Sequence, residues 1–164
     1  MKKFILCYLI IITGINFSTG WANTSYNLSL REDIRKIANG QFTKPQLRKC
    51  IPPSRNNDPG IEKQVTTAIL ERYGELKRGD IIRVIISEPG WRILRNEFTG
   101  FVTGRYIFVY ILVNSETDDE LYLLRINVMQ NNSFMGWIFD PAYVRYILSV
   151  DRIKKKDIDT VCEK

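Results

Sequence analysis

Apolar positions change their spacing partway along the chain. Leu30, Ile34 and Ile37 recur at helical intervals. Ser29 and Glu32 precede and flank this run in the arrangement by which serine and glutamate cap a first turn reciprocally. Gly40 stands where such a helix stops, so the spacing predicts a helix of about ten residues. Residues 41–60 carry Pro45, Pro52, Pro53 and Pro59 and read as a connection. Asp58-Pro59-Gly60 then opens a second helix, with an aspartate cap and a proline in the first turn. Ile61, Val65, Ala68, Ile69 and Tyr73 share one face of it, and Gly74 ends it.

From residue 81 the texture becomes β-branched and aromatic. Residues 81–86 form a strand, and Glu88-Pro89-Gly90 suits a type II turn. Residues 91–95 make the returning strand of this hairpin, with Trp91, Ile93 and Arg95 on one face and Arg92 and Leu94 on the other. Residues 97–104 contain two glycines and read as a bend or bulge. Residues 106–113 are apolar without a break, the mark of a central strand or one covered on both faces. Residues 121–129 are the next strand, and Asn131-Asn132-Ser133 is a turn. Residues 134–139 form a fifth strand, Asp140-Pro141 breaks it, and residues 143–150 are strand or short helix. Helices followed by consecutive strands give an α+β fold: N-terminal helices packed on a curved antiparallel sheet of about four to six strands. The organisation is a signal peptide at 1–22, an N-terminal helix and Pro-rich connection at 23–57, and an α+β domain at 58–164.

The first segment sets the compartment. Lys2 and Lys3 precede the apolar run from Phe4 to Ile12, and Gly20-Trp21-Ala22 offers small residues for a cut near Ala22. The run is too short to span a bilayer, which takes about 20 residues. The expected location is therefore exported, periplasmic or extracellular, with membrane contact only during export. Cleavage removes two lysines and no acid from a net charge of +6, leaving a mild basic surplus. Export and the dispersed charge argue against nucleic acid as a partner. Lys154-Lys155-Lys156 is the one basic triple and reads as a solvated segment. Cys50 and Cys162 remain as an even pair in an oxidising compartment, which favours a disulfide.

The helix over residues 61–73, the hairpin at Glu88-Pro89-Gly90 and the long strands over residues 105–114 and 120–130 resemble the nuclear-transport-factor-2-like and cystatin-like α+β proteins in layout. The stretch Trp91-Arg92-Ile93-Leu94-Arg95-Asn96-Glu97, with Thr99-Gly100 and Gly104-Arg105, is similar to small exported bacterial proteins of unassigned role. The layout resemblance implies a concave pocket between helix and sheet, used for ligands, catalysis or assembly. The His–Asp pairs of the catalytic members are missing here.

The chain has no histidine at all, which removes the commonest general base and metal ligand. It also lacks a G-x-S-x-G elbow, an S-x-x-K pair and a phosphate loop. No metal set or cofactor is expected. Two classes of function remain. The first is a non-catalytic binding or interaction protein, for a protein or small-ligand partner, using Trp91, Arg92, Arg95, Glu97 and Arg105. An aromatic beside guanidiniums offers bidentate and stacking contacts. The second is a histidine-free hydrolase with paired carboxylates drawn from Glu88, Glu97 and Asp140.

Overall fold

A long antiparallel ladder forms the centre of the molecule. β4 (Val102–Asn114) and β5 (Glu120–Phe134) pair from Gly104↔Asn131 to Asn114↔Leu121. β7 (Tyr143–Lys154) runs antiparallel along the other side of β5. The computed structural model describes residues 29–36, 45–115, 119–134 and 138–163. The expected signal peptide, with its cut near Ala22, lies outside them. β1 (Leu47–Arg48) pairs parallel to β7 at one edge, whereas β2 (Ile81–Ile85) and β3 (Arg92–Arg95) pair with β4 at the other. β6 (Ile138–Phe139) returns on the end of β5. The result is a curled, mixed sheet crossed by one main helix, α2 (Pro59–Arg72), so the fold is α+β with a curved sheet.

Strict alternation on the long strands gives the sheet its two faces. Ile107, Val109, Ile111 and Val113 of β4 line up with Val128, Ile126, Leu124 and Tyr122 of β5. They meet Ile61, Val65, Ala68 and Ile69 of α2, joined by Val144, Ile147 and Val150 from β7. Each fully buried branched side chain contributes about 1.5–3 kcal/mol. On the opposite face, Leu112, Leu121, Leu123 and Ile153 are covered by Ile51 and Ile158 from the segments flanking the sheet. The unbroken apolar run in β4 is that of an inner strand covered on one face throughout and on the other around Leu112, with Tyr106, Phe108 and Tyr110 half-buried. Gly104 is required where β4 meets β5, because a Cβ there would lie 2.7 Å from the Gln130 carbonyl oxygen.

The Asp58 cap is as expected: its Oδ1 accepts from the Gly60 and Ile61 amides at 2.7 and 3.4 Å. The earlier helix, α1, is described over Leu30–Lys36, and its expected end at Gly40 lies outside the described residues. Its cap differs from the expected one. Ser29 Oγ donates to Glu75, and the same carboxylate oxygen accepts the Leu30 amide at 2.6 Å, so a distant glutamate holds the first turn. Tyr73, 1% exposed, ties the two helices by donating to Asp33 at 3.1 Å beside Arg72.

Several expectations are corrected. The sheet is mixed rather than antiparallel, because β1 enters beside β7. Glu88-Pro89-Gly90 does not form a hairpin turn. β2 and β3 run in the same direction, both antiparallel to β4, as one edge strand interrupted between residues 86 and 91. Asn131-Asn132-Ser133 is not a turn either: β5 continues through it to Phe134. Their side chains serve neighbours instead, Asn131 accepting from the Tyr143 hydroxyl and Asn132 donating to the Val102 carbonyl. Residues 143–150 are strand, and the strand runs on to Lys154 with two register shifts against β5. Cys50 and Cys162 form a disulfide, their Cα atoms 5.1 Å apart. That bond is compatible with an exported protein.

Candidate functional site

The interruption of the edge strand builds a cleft. β2 ends its pairing at Ile85↔Tyr110 and β3 begins at Arg92↔Tyr106, so the amide of Phe108 faces a gap. Glu88 fills it. Its Oε2 accepts from the Phe108 amide at 3.1 Å, while Oε1 meets an Arg92 amino nitrogen at 2.5 Å. The residue is 7% exposed, and a carboxylate so enclosed is tolerable only when its oxygens are hydrogen-bonded. The preceding connection is stitched to the excursion. The Arg55 amide donates to the Ile86 carbonyl, and Asn56 Nδ2 donates to the Pro89 carbonyl at 2.7 Å. Between connection, excursion and sheet lies a cleft of about 270 Å³, walled by Pro52, Pro53 and Tyr110 and lined by Arg55, Arg92 and Arg125.

The sheet face beneath this cleft is aromatic and basic. Successive rows across β4, β5 and β7 read Tyr110–Arg125–Ser149, Phe108–Asn127–Tyr146 and Tyr106–Met129–Tyr143. The Arg125 guanidinium carbon lies 5.2 Å from the Phe108 ring centre and 5.8 Å from that of Tyr110. Ring faces carry negative quadrupole charge and hold a guanidinium in place of an acid. Arg125 Nε is buried without a hydrogen-bond partner, and no carboxylate pairs with Arg125 or Arg55 among the described residues.

The cluster expected from sequence is divided by the sheet. Arg92 belongs to the cleft. Trp91 packs at the margin of the α2-facing core, and Arg105 lies beside it, 4.9 Å from the Trp91 ring and 4.1 Å from the Phe139 ring. Arg105 Nε donates to Gln130 at 2.6 Å, and burial pulls the guanidinium below its usual pKa. Arg95 and Glu97 sit at the β3–β4 corner, which is tightly made. Asn96 Oδ1 accepts the Phe98 and Thr99 amides, both at 2.9 Å. The Asn96 amide donates to the Phe101 carbonyl, the Gly100 amide to the Asn96 carbonyl, and Arg95 to the Gly100 carbonyl. Gly100 takes a φ of 70°, which L-residues with a Cβ rarely adopt. This corner displays Phe98, 95% exposed, and Phe101, 75% exposed.

The three candidate acids do not share a pocket. Glu97 is on the corner, and Asp140 follows β6, its amide donating to the Asn131 carbonyl. Neither lines the cleft that holds Glu88. Sequence reasoning missed Arg55 and Arg125. One signal was present: Arg125 is the single charge within the apolar run over residues 121–129. A second cleft of about 280 Å³ lies between α1 and the end of the sheet, lined by Leu30, Ile34, Glu75, Leu76 and Tyr122. Its glutamate is the one already engaged at the start of α1.

Comparison of the chain with protein-family models, curated proteins and solved structures finds no match. Layout alone assigns no activity, so function is argued from the site.

Proposed function

We propose that this is an exported, non-catalytic binding or interaction protein whose contact surface follows the interrupted edge from Arg92 to the Phe98–Phe101 corner. The observation that carries the reading is Phe98, held 95% exposed on a corner fixed by side-chain and backbone hydrogen bonds. Leaving such a ring in water forgoes about 1.5–3 kcal/mol relative to burying it. A rigid loop that presents an aromatic between Arg95 and a second exposed ring has the composition of an interface anchor. The disulfide supports export, and the sequence of residues 1–22 supports cleavage near Ala22.

The hydrolase alternative needs two free carboxylates flanking one bond. Glu88 has both oxygens engaged and no second acid in its cleft, which weighs against it. A photo-crosslinking amino acid placed at Phe98 in the producing cells tests the proposal. It should give a discrete adduct in the exported fraction, on a chain beginning at Asn23. The same group at Glu62, exposed on α2, should give none. Equal or absent cross-linking at the two positions would overturn the surface.

A further inference from the structure

We infer that the cleft at the interrupted edge is a binding site for an oxyanion group, a carboxylate or a phosphate, carried on a small apolar or aromatic body. The site shares Arg92 with the proposed contact surface but does not include the Phe98 corner, and it need not engage the same partner.

Charge is the first argument. Arg55, Arg92 and Arg125 line one cleft, and the acid among them, Glu88, is already shared between Arg92 and the Phe108 amide. Arg55 and Arg125 have no carboxylate partner among the described residues. Guanidiniums gathered without counter-charge repel one another, and an incoming oxyanion removes that repulsion while accepting planar, paired N–H donors.

Preorganisation is the second. Arg125 rises from the middle strand and is held over the Phe108 and Tyr110 rings, so its orientation does not depend on an acid that a ligand would have to displace. Arg55 is positioned through its own backbone, whose amide is bonded to Ile86. Little side-chain freedom remains to be lost at Arg125 when a ligand arrives.

Shape is the third. The cleft is about 270 Å³, just below the range of drug-sized ligand sites, which starts at about 300 Å³. Its walls of Pro52, Pro53, Pro89 and Tyr110 are apolar or aromatic. That combination suits one anionic group and the ring or short chain beside it, rather than a bare ion.

Titration of the full disulfide-bonded protein with benzoate, phenyl phosphate and neutral benzamide, followed by amide chemical shifts, tests the inference. Benzoate or phenyl phosphate should shift the amides of Arg55, Phe108 and Arg125, and the tighter of the two identifies the group. Benzamide should bind at least tenfold more weakly. Arg55→Gln should weaken the anion at least tenfold with an unchanged thermal midpoint, since its side chain is exposed and has no ion-pair partner among the described residues. Arg125→Gln should weaken the anion likewise, and Lys63→Gln, exposed on α2 outside the cleft, should leave affinity unchanged. Binding of benzamide as tight as benzoate, insensitivity to Arg55→Gln, or no saturable shift with either anion would overturn it.

Discussion

Replacing Glu88 separates a structural carboxylate from a catalytic one. In Glu88→Ala the Phe108 amide loses its acceptor at the centre of β4, on the side where neither β2 nor β3 stands opposite it. An unsatisfied buried N–H costs about 1–3 kcal/mol. Loss of the packed Cγ methylene adds about 1 kcal/mol. The ion pair itself is the smaller contribution. Arg92 is 57% exposed in its side chain, so solvent screens the pair to about 0.3–1 kcal/mol. The expected loss for Glu88→Ala is therefore about 2–5 kcal/mol, or about 5–20 °C in the midpoint for a domain near this size. Glu88→Gln keeps an oxygen for the Phe108 amide and should lose only about 1 kcal/mol. Urea denaturation of both variants, with Arg92→Ala and the Glu88→Ala/Arg92→Ala double variant, closes the cycle. Two results would refute the reasoning: Glu88→Ala within about 0.5 kcal/mol of the parent, or Glu88→Gln as damaging as Glu88→Ala.

Two further outcomes are expected. The Cys50–Cys162 disulfide closes a separation of 112 residues, so the double serine variant should lose about 4–5 kcal/mol in denaturant unfolding, and dithiothreitol should lower the parent to the same midpoint. Tyr73 has its pKa pushed up to about 12, chiefly by burial, from an ordinary 10.0. Between those values the unfolded chain binds fewer protons, so stability is full below pH 10 and falls as pH rises toward 12. Denaturant midpoints should fall across that window in the parent and less steeply in Tyr73→Phe; equal slopes would exclude Tyr73 as a source.

The two features that local signals describe well were legible. The α2 start was written in Asp58-Pro59-Gly60, and its buried face in Ile61, Val65, Ala68 and Ile69. The disulfide followed from compartment and parity. The interrupted edge was not legible, because Glu88-Pro89-Gly90 has the local chemistry of a turn that reverses the chain. What decides its outcome is non-local: β4 is long enough to pair with β2 and β3 in succession, and the amide between them donates to a side chain instead of a strand. The same holds for Asn131-Asn132-Ser133, whose turn propensity yields to partners on β4 and β7. The cleft depends on Arg55 and Arg125 meeting across the sheet face, which no spacing along the chain encodes.

The position of β1 dictates an order of assembly. Any chain is made from its N-terminus, so Leu47, Arg48 and Cys50 emerge while β7 and Cys162 are still unsynthesised. Every other strand among the described residues lies between the two halves of this closure. The β4–β5–β7 meander can form from neighbours as they appear, whereas β1 must wait and dock last, and oxidation then locks it. Until then Cys50 is a lone thiol open to the wrong partner, and the exposed flank of β7 is an edge another chain could occupy. A holdase that shields the early segment, or an oxidant that acts only on the finished chain, would raise the yield of correctly closed protein.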